Sequence, residues 1–280
     1  MKHALLTKAK AFLISTRPKT TPLGVISVYV GGLVAGAAYN SVVLLLAVVT
    51  SFFIGSASMT MNDYFDWHID TISHPERPIP RGIIRPKEML AVSIVFFAVG
   101  IGISFFLNPL CIGILAVTVS LILLYELYSK NRGIFSNFTV GFASAISFVF
   151  GGAALHNPFS PLILSVITFF VMTGREIICD IKDIEGDRLV RRTLPIQIGK
   201  RNASFVAFIF LLISLVLIPS PYFLGLVSLW YIFIIILVGV LMFIAGVWVL
   251  RDTTKAAASS SLIRISCAIA LVALFAGIIL

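Results

Sequence analysis

Nine stretches of this chain are apolar for long enough to cross a lipid bilayer: 22–38, 41–61, 89–107, 110–127, 135–155, 159–179, 204–218, 223–249 and 260–280. A crossing helix needs roughly 17 to 25 such residues. Unsatisfied backbone groups are costly in hydrocarbon, so each run must close its own hydrogen bonds as a helix, and near-continuous apolarity does not match the alternation of a membrane barrel. Composition agrees: 59% of residues are hydrophobic and 12% charged, against about 25% charged in a soluble domain. The expectation is an all-α, polytopic membrane protein whose nine transmembrane helices form one bundle, a single domain over 1–280.

The 21 Lys and Arg residues fall at the N-terminus, after the second run (Arg77, Arg81, Arg85, Lys87), after the fourth (Lys130, Arg132), around the end of the sixth (Arg175 to Arg201) and after the eighth (Arg251, Lys255, Arg264). The links near 39–41, 107–110, 155–161 and 219–222 carry none. Positive charge marks the cytoplasmic side, which predicts a cell-membrane protein with its N-terminus in the cytoplasm and its C-terminus outside. A rim facing anionic lipids explains the net charge of +9 without nucleic acid, and no obligate protein partner is expected. The basic N-terminus leads only into the short "AFLIS" before Arg17-Pro18, so no signal peptide is expected. The three cysteines, Cys111, Cys179 and Cys267, lack metal-ligand or disulfide spacing.

The acids are concentrated. Six of the seven aspartates form two groups, Asp63, Asp66, Asp70 and Asp180, Asp183, Asp187, both reading D-x-x-D-x-x-x-D. On a helix those offsets confine three carboxylates to an arc of about 60°, so each group is one acidic stripe at the cytoplasmic end of a membrane helix. Each stripe precedes a basic loop with R-x-[IL]-P, "RPIP" at 77–80 and "RTLP" at 192–195. Charged rims alone would scatter acids; the recurrence suggests an internal pseudo-repeat centred on 41–107 and 159–218.

Carboxylates this close repel one another when ionised, so the site calls for cations. Oxygen-only ligands select hard ions, and Mg²⁺ is typically held by one or two carboxylates together with substrate phosphates. Neither His68 nor His74 has companions at zinc spacing. Arg77 and Arg81 in "ERPIPRG", and Arg188, Arg191 and Arg192 in "GDRLVRR", flank the stripes and can contact a phosphate. The parts describe a site for an amphiphile with a diphosphate head at the cytoplasmic face and a hydrocarbon tail in the membrane, the shape of a prenyl diphosphate.

"NDYFDWHID" at 62–70, "DIKDIEGD" at 180–187 and the intervening "RPIPRG" resemble the signature of the intramembrane UbiA-type prenyltransferases over nearly the whole chain. The resemblance implies that Asn62, Asp63, Asp66 and Asp70 bind a first Mg²⁺ and Asp180, Asp183 and Asp187 a second, with Asp63, Asp66, Asp180 and Asp183 at the heart of catalysis. It also implies that departure of diphosphate leaves an allylic carbocation for an acceptor to capture. Apolar walls would keep water from that cation, with aromatics such as Phe65, Trp67, Tyr125 or Tyr128 nearby. Lys182, inside the second motif, joins the substrate-binding set. The family's Tyr and Lys pair is matched by Tyr125 or Tyr128 with Lys130, off the common Y-x-x-x-K spacing. "STRPKTTP" at 15–22 resembles the family's entrance to its first helix, where Arg17 and Lys19 would face the same site.

The run "GREI" before the second stripe resembles the archaeal glycerophosphate branch. Arg175 and Glu176 sit there inside the end of a membrane helix, where charge is expensive and usually functional; Glu176 would accept the acceptor's proton or pair with Arg175. The leading expectation is geranylgeranyl transfer from its diphosphate to the hydroxyl of geranylgeranylglyceryl phosphate. The alternative is an aromatic-ring prenyltransferase of quinone biosynthesis, acting on 4-hydroxybenzoate or a naphthoate. A membrane transporter is a remote third reading, because transport sites lie near the bilayer midplane.

Overall fold

The structure, a computed structural model, describes residues 2–18, 20–188 and 191–280, and among these every regular element is a helix. The helices are α1 (Lys2–Ser15), α2 (Thr21–Val34), α3 (Val42–Ser73), α4 (Pro86–Ser104), α5 (Pro109–Leu127), α6 (Ile134–Ala154), α7 (Leu162–Asp187), α8 (Leu194–Ile198), α9 (Lys200–Leu217), α10 (Ser220–Phe223), α11 (Leu229–Arg251) and α12 (Ala256–Ile279). Loop chemistry sets the boundaries. Ser41 and Asn108 cap α3 and α5 by accepting from the backbone N–H three residues on, and Pro22, Pro86, Pro109 and Pro195 stand in the first turns of α2, α4, α5 and α8.

Among the described residues, eight helices are long and apolar enough to cross a membrane. The expected ninth, at 22–38, is the 14-residue α2, about 21 Å long at 1.5 Å per residue and short of a hydrocarbon core about 30 Å thick. Proline opens α2, and at its end the chain turns away through Gly36 at φ +97, a conformation that favours glycine. Conversely, α1 forms over the segment read only as a short apolar piece. Buried Ala11 joins Ile79, Ile84 and Met89 in a small core, and Lys8 Nζ lies 2.8 Å from Glu88 Oε1. Arg264, counted from sequence among the basic residues after the eighth run, lies two turns inside α12.

Lipid offers helices little hydrophobic reason to associate, so packing relies on small residues and interhelical hydrogen bonds. Gly31 of α2 and Gly151 of α6 let those backbones touch: a Cβ on either would strike the Phe148 or the Val28 carbonyl oxygen, respectively. Ser93 Oγ donates to the Ala57 carbonyl (2.9 Å), Ser259 Oγ to that of Ala245 (2.7 Å) and Asn108 Nδ2 to that of Ala153 (2.7 Å), tying α4 to α3, α12 to α11 and α5 to α6. The outward faces carry exposed Phe106, Val216, Trp230 and Phe233, fitting contact with lipid. α3 runs for 32 residues, about 48 Å, so its last turns, with the first acidic stripe, project past the apolar segment.

Candidate active site

Both acidic stripes lie on helix ends, and the structure brings them face to face. Asp63, Asp66 and Asp70 of α3 are all buried, as is Asp187 of α7. Arg191, from the chain just after α7, joins the stripes: its Nη2 donates to Asp66 Oδ1 at 2.5 Å and its Nη1 lies 3.5 Å from Asp187 Oδ1. Burial is the strongest single influence on Arg191 and opposes its charge, but Asp66 and Asp187 together, led by Asp66, raise its pKa above the ordinary arginine range.

The first stripe is bracketed by cations. Arg77 Nη1 donates to Asp70 Oδ2 at 2.6 Å and stands 3.6 Å from Asp63 Oδ1, which also accepts from Arg17 Nη2 at 3.3 Å. Arg17 adopts φ +51 to turn into the site and donates to Asn62 Oδ1 at 2.9 Å. The other face of the Asn62 amide donates to Glu126 Oε1 at 3.0 Å. Lys130 closes the chain, 2.7 Å from Glu126 Oε2 and 2.8 Å from Asp66 Oδ1. An unbroken polar network thus runs from Arg17 through Asn62, Glu126, Lys130, Asp66 and Arg191 to Asp187. Burying these charges is tolerable only because each has a partner.

On the second stripe, Asn137 Nδ2 donates to Asp180 Oδ2 at 2.7 Å and Lys182 Nζ lies 3.0 Å from Asp183 Oδ2. Among the described residues, no three acids converge closely enough to form a ready-made metal cage. Arginine and lysine stand between the carboxylates instead. The donor set still suits a hard divalent ion: facing carboxylate oxygens, and the Asn137 amide oxygen beside Asp180, which is buried and has no hydrogen-bond partner.

Beside this network opens a cavity of about 820 Å³ inside the bundle, toward the upper end of the roughly 300–1,000 Å³ usual for ligand sites. Arg17, Asn62, Arg77 and Glu126 belong to both network and cavity; beyond them the walls are largely apolar, with Ile54, Leu115, Phe148, Ile167, Met242 and Leu271. Tyr125 lines it, and Lys130 Nζ stands 5.4 Å from that ring's centroid. Arg175 and Glu176 line it too, their charged groups 3.9 Å apart.

Several expected residues lie elsewhere. Tyr128 is exposed and stacks its ring 3.6 Å from the Arg132 guanidinium; the helix turn that aims Tyr125 inward aims it out. Phe65 is exposed against Tyr64, and Trp67 packs on the Ala11 core and His68, so neither lines the cavity. Arg81 and Arg192 are exposed, and Arg188 turns outward to Glu185 at 3.6 Å. Of the arginines after the second stripe, Arg191 is the one that reaches the acids. Lys19 lies outside the described residues. Sequence reasoning missed Glu126, Asn137 and the inward-facing Arg264. Glu126 had a legible signal: it stands four residues before Lys130, the position that Y-x-x-x-K spacing gives to tyrosine.

A membrane-embedded helical bundle with a charged mouth over an apolar cavity defines an intramembrane enzyme of amphiphilic substrates. Residues 24–272 match the UbiA prenyltransferase family, and the chain belongs to it. It is 37% identical over 265 residues to the digeranylgeranylglyceryl phosphate synthase of Methanothermobacter thermautotrophicus, covering 93% of each chain. A solved structure from work on digeranylgeranylglyceryl phosphate synthase in membranes superposes with a TM-score of 0.77 at 29% identity, covering 97% of this chain and 99% of that one. A UbiA homologue from Archaeoglobus fulgidus, solved bound to GPP and Mg²⁺, shares the fold at a TM-score of 0.72 and 16% identity over 96% of this chain and all of that one.

Proposed function

We propose that this protein transfers a geranylgeranyl group from its diphosphate to the free hydroxyl of geranylgeranylglyceryl phosphate, making the second ether bond of an archaeal lipid. The observation that carries the reading is the bridging of both aspartate stripes by Arg191 at the mouth of an apolar cavity. Similarity to synthases of that name over almost the full chain supports this acceptor over an aromatic one.

Asp63, Asp66 and Asp70 on one side and Asp180, Asp183 and Asp187 on the other would hold Mg²⁺, with Asn62 beside the first set. When bound, Mg²⁺ neutralises the diphosphate and stabilises the charge that grows on it as the leaving group departs. Arg17, Arg77, Lys130 and Arg191 already stand among those carboxylates and can turn to diphosphate oxygens as preorganised donors. The allylic C–O bond breaks with its electron pair going to diphosphate. The acceptor oxygen then bonds to the freed carbon, and its proton passes to the released diphosphate. The cavity walls exclude water from the carbocation, and the Tyr125 ring offers it a π face. The mouth faces the cytoplasm, where the positive-inside rule puts the basic loops.

The test supplies radiolabelled geranylgeranyl diphosphate and Mg²⁺ to the purified protein with either geranylgeranylglyceryl phosphate or 4-hydroxybenzoate. Label is expected in the glycerol ether, lost with EDTA and restored by Mg²⁺. Incorporation only into the aromatic acid would overturn the reading.

A further inference from the structure

Arg264 occupies a position that the aspartate site does not explain. It is partly buried in α12 and lines the apolar cavity, yet its side chain makes no hydrogen bond or ion pair with any described residue. A guanidinium inside a membrane bundle is costly without a counter-charge and marks a functional site by default.

Its neighbours are fixed by helix register. α7 packs against α12, and two membrane crossings, α9 and α11, lie between them in sequence, so the two run antiparallel. Cys179 Sγ and Ser260 Oγ meet at 3.1 Å across that interface. One turn deeper from this contact is Arg175 on α7 and, running the other way, Arg264 on α12. The two arginines therefore stand at one level, with Glu176 beside them, and all three line the same cavity. Glu176 can balance one of the two positive charges, leaving the cluster short of one anion. Arg175 is five residues from Asp180 on α7, about 7.5 Å along the helix axis at 1.5 Å per residue, so the cluster lies farther into the membrane than the second aspartate stripe.

We propose that Arg175 and Arg264 form a second anion site, separate from the diphosphate site, that holds the phosphate of the acceptor. This rests on the acceptor reading above. In that acceptor the reacting hydroxyl lies a few bonds from the phosphate, so a phosphate anchored at this level leaves the hydroxyl between the two sites, facing the allylic carbon. Guanidinium forks suit a phosphate monoester, which they bind through paired, charge-assisted hydrogen bonds. Glu176 keeps the cluster's charge low when no acceptor is bound and repels an anion arriving without Arg264's help.

The test compares wild type, Arg264→Gln and Arg264→Lys, as full-length protein with Mg²⁺ in lipid nanodiscs. The acceptors are geranylgeranylglyceryl phosphate and geranylgeranylglycerol, which lacks the phosphate. Wild type is expected to bind the phosphate form at least about ten-fold more tightly, the scale of one charge-assisted hydrogen bond. Arg264→Gln should remove that preference and raise the acceptor KM about ten-fold while leaving the KM for geranylgeranyl diphosphate within about two-fold; Arg264→Lys should recover part of the loss. Retained Mg²⁺-dependent binding of geranylgeranyl diphosphate shows that the variants are folded. An unchanged preference in Arg264→Gln, or an equal rise in both KM values, overturns the proposal. If wild type binds the phosphate form preferentially through Arg264 but transfers nothing to it, the anion site stands and the acceptor reading fails.

Discussion

Asp66 accepts from two cations at once, Lys130 and Arg191, whereas its neighbours on α3 rely on Arg77 and Arg17. Removing a carboxylate from either stripe should therefore disable chemistry more than folding. Asp63→Ala and Asp183→Ala are each expected to lower kcat for prenyl transfer by about 10²–10³-fold, the scale of losing one preorganised stabilising group, measured with label at saturating Mg²⁺. The arginines separate in the same way. Arg191→Met should raise the KM for prenyl diphosphate about ten-fold or more, because a charge-assisted hydrogen bond contributes about 1.5–3 kcal/mol, while exposed Arg192→Met should leave it near wild type. Tyr125→Leu should slow transfer several-fold by removing a ring worth about 0.5–2 kcal/mol to a nearby cation, and Tyr128→Leu should not. Each pair of variants checks an inward side chain against an outward one a few residues away. That distinction was invisible in the motifs, which give residue types and spacing but not rotation about the helix.

At the scale of elements, the site depends on helices that approach closely enough to enclose the cavity. α2 and α6 do so through Gly31 and Gly151, where the partner backbone occupies the space of a side chain. Gly151→Leu should push them apart and lower stability by at least about 1–3 kcal/mol, the usual cost of overpacking. The expected readout is a fall of several degrees in the thermal midpoint in detergent, and Gly113→Leu, at a site with no close neighbour, should show none. The eight spanning helices were legible because apolar length is a one-dimensional property. α1 was not, since 14 residues of mixed character acquire a helix's stability only by packing, here against the loop that follows α3.

Across the whole molecule, the charge asymmetry predicts a single orientation. A cysteine introduced by Arg81→Cys, on an exposed loop beside the first stripe, should react with a membrane-impermeant maleimide in inside-out vesicles and not in intact cells. Phe159→Cys, on the exposed link between α6 and α7, should do the reverse. Labelling of both from one side would refute the topology. By itself the sequence determined that the chain is a membrane-spanning helical bundle, and that six of its seven aspartates form two matched stripes. Both properties follow from periodicity and composition along one helix at a time. Only the tertiary structure decided that Arg191 joins the stripes, that Glu126 and Lys130 complete the first, that Tyr125 faces inward, and that Arg264 and Arg175 line one cavity. The hydrogen bonds that tie Glu126 to Asn62 and Arg191 to Asp66 join residues 64 and 125 positions apart, and they depend on which faces the packed helices turn toward one another, a choice made by fit between whole helices rather than by any local pattern.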